Sequence, residues 1–167
     1  MPTKSLMVTI VYLSLLAPAW AADAPPTKSA SAGPVNVDQA LSKFRNEMQS
    51  VRADLVAKGL TLSADQAAKF WPLFEQYQKE QNVIIDTQLK LVHTYVANYD
   101  KLTDADALAF VKGLLDRDGK MQALRATWLD KFQTVVSAGT AARVIQIDRR
   151  LSQFAQSELS SQIPLVR

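Results

Sequence analysis

The sequence predicts an all-α protein of four long amphipathic helices arranged in antiparallel hairpins. Three observations lead there. Between Val35 and Ile163 a single proline, Pro72, interrupts the chain. Apolar residues in that stretch recur at intervals of three and four, which lines one face of a helix. No Asn-Gly or Asp-Gly turn lies between alternating apolar residues, because Asp118-Gly119 falls inside helical spacing.

The first helix carries Val37, Leu41, Phe44, Met48, Val51 and Leu55, a four-three repeat that makes a narrow seam of the coiled-coil kind. Asn36 is placed to cap its start, with Gln39 three residues on, and Gly59 suits a left-handed stop after Lys58. Ser63 and Gln66 form a capping box that opens the second helix, which should run to about Tyr99. Its main stripe is Leu73, Tyr77, Ile84, Leu91 and Tyr95, flanked by Phe74, Ile85, Val92 and Val96. Pro72 lacks an N–H and should bend or break this helix about two turns in. The third helix opens at Thr103, with Asp104 and Asp106 near its positive end. Leu114, Met121, Trp128 and Val135 fall seven apart, with Val111, Leu124 and Phe132 filling in. Gly113 and Gly119 mark places that are either loose or closely packed, and Gly139 marks the end. The fourth helix carries Val144, Ile147, Leu151, Phe154 and Leu159, and Pro164 closes it. Connections of a few residues make the neighbours antiparallel. Seams this long in so short a chain fit a homodimer that buries the remainder, and equally a monomeric bundle.

The ends of the chain read differently. Lys4, the apolar run Leu6 to Leu16 and the small-x-small triplet Ala19-Trp20-Ala21 have the layout of a secretory signal, with cleavage expected after Ala21. The apolar core is too short for a span of ~20 residues, and no later run reaches that length, so no transmembrane anchor is expected. Residues 22–35, with Pro25, Pro26, Gly33 and Pro34 among Ser, Ala and Thr, read as a flexible leader; residues 36–163 form one helical domain and 164–167 a tail. Export to the periplasm follows. Removing Lys4 with the signal leaves a nearly balanced charge, and only Arg143, Arg149 and Arg150 approach a basic cluster. A solvated helix face accounts for them, so nucleic acid is not an expected partner. The chain has no cysteine, so packing alone must hold an exported fold.

Chemistry is sparse. His93 is the sole histidine, which rules out a His pair or triad within one chain. Asp116-Arg117-Asp118-Gly119 resembles the start of a calcium loop, but Thr127 stands where the closing glutamate belongs. No nucleotide or hydrolase motif occurs, so neither a catalytic residue, a metal nor a cofactor is predicted. Phe70, Trp71 and Phe74 are the conspicuous aromatic group; core packing beside Pro72 is the default reading and a partner-gripping surface the alternative.

One pattern recurs. Leu62-Ser63-Ala64-Asp65-Gln66 fits Leu-Ser/Thr-x-x-Gln, and Leu102-Thr103-Asp104-Ala105-Asp106 nearly repeats it, with Asp106 for the glutamine. Each is a hydrophobic residue followed by a helix cap. In an exported, cysteine-free, four-helix chain the pair resembles the LTxxQ group of periplasmic proteins, the Spy and CpxP family. That resemblance implies hairpins paired into a curved homodimer. It also implies a non-enzymatic role as a chaperone without ATP, or in envelope-stress sensing, holding unfolded or envelope proteins on a helical surface. The histidine-rich metal segment of the zinc-binding relatives is missing. The competing reading is a structural or adaptor subunit docked on one fixed envelope partner.

Overall fold

The computed structural model describes residues 36–166. The expected signal and leader, the Val37 side chain and Arg167 lie outside the described residues. Within them the chain is all-α, as predicted, with four helices. Helix α1 runs Val37–Asn46, continues through a π-helical turn Glu47–Val51 and ends as Arg52–Gly59. The others are α2 (Ala64–Ala97), α3 (Asp104–Gln133) and α4 (Ala138–Ser161), with a 3₁₀ turn Tyr99–Lys101 between α2 and α3. Consecutive helices pack side by side and α4 closes against α1. Paired contacts run in opposite order along neighbouring helices, Asp38–His93 with Arg45–Asp86, Glu80–Trp128 with Tyr95–Phe110, and Lys43–Glu158 with Arg52–Asp148, so these neighbours are antiparallel. Helices α3 and α4, packed together across the short connection 134–137, are antiparallel too.

The π turn corrects the predicted seam. Leu41, Phe44 and Met48 are buried as expected, but Val51 and Leu55 are each 39% exposed. Arg52 and Val56 take their places with no exposure. One extra residue in the turn rotates everything after it by about a residue's worth of helix, which carries Arg52 onto the buried face. Gly59 is also corrected. It is helical, and a Cβ there would sit 2.4 Å from Ile147 Cδ1, so it serves close packing of α1 on α4 and not a left-handed stop.

In α2 the buried stripe is Phe70, Phe74, Tyr77, Gln81, Ile85, Gln88, Val92 and Tyr95, while Leu73, Ile84 and Leu91 are only half-buried. Two glutamines on the buried face disguised it: Tyr77 and Tyr95 are buried as predicted, and of the residues read as flanks Phe74, Ile85 and Val92 are core while Val96 is half-buried. Pro72 does not break the helix. Pro72 and Ala68, whose carbonyl loses its partner, are both exposed, so water can serve that carbonyl. In α3 the core residues are Phe110, Arg117, Met121, Trp128 and Phe132; Leu114 and Leu124 are half-buried, Val111 is exposed, and Val135, also half-buried, lies in the turn after the helix. Gly113 is the closely packed glycine, with Leu91 Cδ2 2.6 Å from where a Cβ would lie, while Gly119 faces open space. Gly139 lies inside the first turn of α4, not at the end of α3; Ser137 is the cap, its Oγ accepting from the Thr140 N–H at 3.2 Å. The buried face of α4 is made mostly of small residues and carries two polar ones: Ala141, Val144, Asp148, Ser152, Ala155 and Leu159. Phe154, assigned to that face from sequence, is exposed.

Much of each predicted seam is covered by the other helices, while Val51, Leu55, Val111 and Phe154 stay exposed. Two apolar clusters result. One gathers Phe70, Phe74, Tyr77, Trp128 and Phe132 with Val56 and Val144; the other gathers Phe44, Met48, Ile85, Val92 and Phe110 with Leu159.

Candidate functional site

Between the two clusters lies a polar layer centred on Asp148, and all four helices contribute to it. Asp148 Oδ1 accepts from Gln81 Nε2 at 2.9 Å and contacts Arg52 Nε at 2.9 Å. Asp148 Oδ2 accepts from the Tyr77 hydroxyl at 3.0 Å and from Arg125 Nε at 2.8 Å, and Arg125 Nη2 donates to Ser152 Oγ at 2.7 Å. Arg52 and Asp148 are fully buried. The Arg52 contact is an ion pair whose Nε–H is not aligned as a hydrogen bond, and its Nη1 has no hydrogen-bond partner either. Two guanidinium groups therefore share one carboxylate, leaving a positive excess in the layer. Burial pushes the Arg52 guanidinium below its ordinary value, against the charge of Asp148. Burial, then the charge of Asp148, hold the Tyr77 phenol far above the usual tyrosine range. A further polar pair, the side-chain amides of Gln88 and Gln156, exchange two hydrogen bonds of 2.9 Å.

Only Tyr77 was placed from sequence, on the apolar stripe of α2, and none of these residues was read as part of a polar site. The usable signal was the α4 stripe: Val144, Asp148, Ser152, Ala155 and Leu159 keep three-four spacing, and a lone aspartate within it requires a buried partner. Arg52 could not be placed without knowing the π turn.

The residues that the sequence did single out fall in three places. Phe70 and Phe74 are core, not surface: their ring centroids lie 5.6 Å apart and Phe70 is 5.3 Å from Phe132. Trp71 is half-buried, edge-on to both. Both capping boxes are closed. Ser63 N–H donates to Gln66 Oε1 at 3.1 Å and Gln66 N–H to Ser63 Oγ at 3.3 Å. Asp106 does the same work as a glutamine, accepting from Thr103 N–H at 3.1 Å and Thr103 Oγ1 at 2.6 Å, and those bonds hold its carboxyl below the ordinary aspartate value. Leu62 packs against the aromatic cluster and Leu102 against the other, so the two motifs pin opposite ends of the bundle.

Asp116 and Asp118 lie within α3 and pair with Lys120 and Arg117 instead of forming a loop. His93 is exposed, with Nε2 3.9 Å from Asp38 Oδ1. Among the described residues no group of three or more His, Cys, Asp or Glu is placed to hold a metal, and no helix is long and apolar enough to cross a membrane. One solvent-facing apolar stripe was not predicted. Leu108, Val111 and Leu115 on α3 are 55%, 41% and 65% exposed, at spacings of three and four on one helix face. Comparison of the chain with known protein families, with characterised proteins and with solved structures finds no match in any of the three. The resemblance to LTxxQ proteins thus rests on the two capping motifs and the helical layout.

Proposed function

We propose that this chain is an exported, non-enzymatic binding protein of the chaperone-like or envelope-stress kind, holding apolar segments of unfolded envelope proteins without ATP. The observation that carries the reading is the Leu108–Val111–Leu115 stripe. Leaving three aliphatic side chains in water along two turns of an otherwise amphipathic helix has a use if something apolar visits them. The size of the stripe favours this reading over an adaptor. Three side chains fall well short of the ~800 Å² per partner that a standard stable interface buries, whereas brief capture of a short apolar segment needs no more. Phe70 and Phe74 are not part of the surface, being buried.

The test is suppression of aggregation of a heat-denatured protein, followed by light scattering, with Leu108→Ser/Leu115→Ser beside the parent. The variant should melt like the parent and lose most of the suppression. Equal suppression by both proteins, or none by the parent, overturns the proposal.

A further inference from the structure

We infer that residues 163–166, the segment after α4, are a built-in strap seated in a site for extended apolar peptide segments at the head of the α3 stripe. This deepens the chaperone-like reading and rests on it for the strap's purpose. Past Ser161 the chain leaves α4 and lies against the α2–α3 connection. There the Tyr95 hydroxyl donates to the Pro164 carbonyl at 3.0 Å, and the Tyr99 hydroxyl to the Leu165 carbonyl at 2.6 Å. Ile163 is half-buried on the cluster that holds Tyr95, Tyr99 and Leu102. Val166 shares a small hollow with Thr103, Asp104 and Ala107, at the start of α3. Ala107 stands next to Leu108 and one turn before Val111, so the strap ends where the exposed stripe begins.

The receptor is fixed and the strap is loosely held. Tyr95 is buried, its ring stacked on Phe110 with centroids 3.9 Å apart, and Tyr99 stands edge-on to it at 5.7 Å. Both hydroxyls are therefore held in place by ring packing. Leu165 and Val166, in contrast, are 87% and 45% exposed. What holds the strap is one aliphatic anchor and two main-chain carbonyls. A carbonyl carries no sequence information, so any extended segment with an aliphatic residue offers the same three contacts. A segment with so few buried contacts opens at little cost. An incoming chain that makes the same bonds and runs on over Leu108 and Val111 buries more apolar surface than the strap does, and displaces it.

Fluorescence anisotropy of a labelled, end-capped peptide of residues 162–166, titrated with the full chain, tests this. Ile163→Asp makes burial of the anchor unfavourable and leaves the receptor intact, so this variant should bind the peptide saturably. The parent should bind it at least about tenfold more weakly, because its own strap competes at an effective concentration on the order of millimolar. Adding Tyr99→Phe to Ile163→Asp keeps the ring, removes one donor, and should weaken binding about fivefold. Ile163→Ser, a milder change, takes the place of Ile163→Asp if the latter melts below the assay temperature. In the light-scattering assay the released variant should suppress aggregation at a several-fold lower concentration than the parent. Equal peptide binding by parent and released variant, no binding by the folded variant, or no effect of Tyr99→Phe overturns the inference. The two readings fail separately. Suppression that depends on Leu108 and Leu115 without peptide binding sinks the strap alone, and peptide binding without suppression by any variant sinks the chaperone-like reading alone.

Discussion

Around Phe70, the interior is a stack of rings: Phe70 and Phe74, Trp128 and Phe132 meet at centroid distances of 5.6 Å, and Tyr77 reaches Trp128 at 5.7 Å. A little further along the same helices, the interior is a carboxylate shared by two guanidinium groups, a phenol and an amide. The two regions are buried to the same degree and held by opposite physics. Ring packing gains in proportion to area and degrades gradually when a contact is lost. The Asp148 layer is stable only when complete, because each member is a group that water would otherwise solvate. Apolar clusters tolerate small slides of one helix past another. A carboxylate with partners on three other helices does not, so the polar layer sets the register that the aromatic region then packs.

If that contrast is right, the largest single effect comes from Asp148. Asp148→Asn strands two buried positive charges and should cost ~3–5 kcal/mol, read as a lower urea midpoint. Adding Arg52→Met should recover part of the loss, since one stranded charge is gone. A loss below about 1 kcal/mol would mean that the layer is wetter and weaker than its geometry implies. Next comes Phe74→Ala in the aromatic region, expected to cost about 3–5 kcal/mol as a buried ring lost to a cavity. Unlike Asp148→Asn, it should have no second-site rescue by removing a neighbour. Parent-like melting of Phe74→Ala would return Phe70 and Phe74 to the status of contact residues.

Tyr77 belongs to both regions and separates them by pH. Tyr77→Phe keeps the ring and loses a bond to a charged acceptor, worth ~1.5–3 kcal/mol near neutrality. In the folded protein its phenol is held above the ordinary value, so the unfolded chain ionises first, near pH ~10. Its contribution is therefore complete below about pH 10 and is lost as pH rises beyond it. Urea melts at about pH 8 and pH 11 should show the parent's advantage over Tyr77→Phe shrinking. Arg52, shifted the other way, is common to both proteins and cancels in the difference.

The aromatic region was largely legible in sequence, and the polar layer was not. Trp128 and Phe132 sit on an apolar repeat that any helix reading picks up, and Ser63-Gln66 and Thr103-Asp106 announce helix starts through chemistry local to three residues. Asp148, Gln81 and Gln88 instead look like solvent-facing positions, because a polar residue is buried only when partners distant in sequence complete it. Gln81 and Gln88 also broke the apparent stripe of α2, which is why Leu73, Ile84 and Leu91 were read as its centre. Gly59 and Gly139 misled for another reason. Glycine marks helix ends and close approaches alike, and only the neighbour, Ile147 for Gly59, tells which.

The smallest expected effect tests the feature that links the regions, the π turn at Glu47–Val51. A strict α-helix would continue the seam from Met48 through Val51 to Leu55, whereas the observed turn continues it through Arg52 to Val56. Leu55 is then a rim residue, and Leu55→Ala should change stability by no more than ~0.5 kcal/mol, the range of surface substitutions. Met48→Ala, on the common part of the seam, should cost about 2–5 kcal/mol under either register. The pair therefore calibrates itself: Met48 shows that the helix is packed, and Leu55 shows which way its second half faces. A Leu55→Ala loss close to that of Met48→Ala would put Leu55 in the core and turn Arg52 out of it. Arg52 could not then reach Asp148, and the polar layer would be left with Arg125 as its one guanidinium. The π turn is thus the condition on which the excess positive charge of the layer depends, and a side chain that touches none of its members can report it.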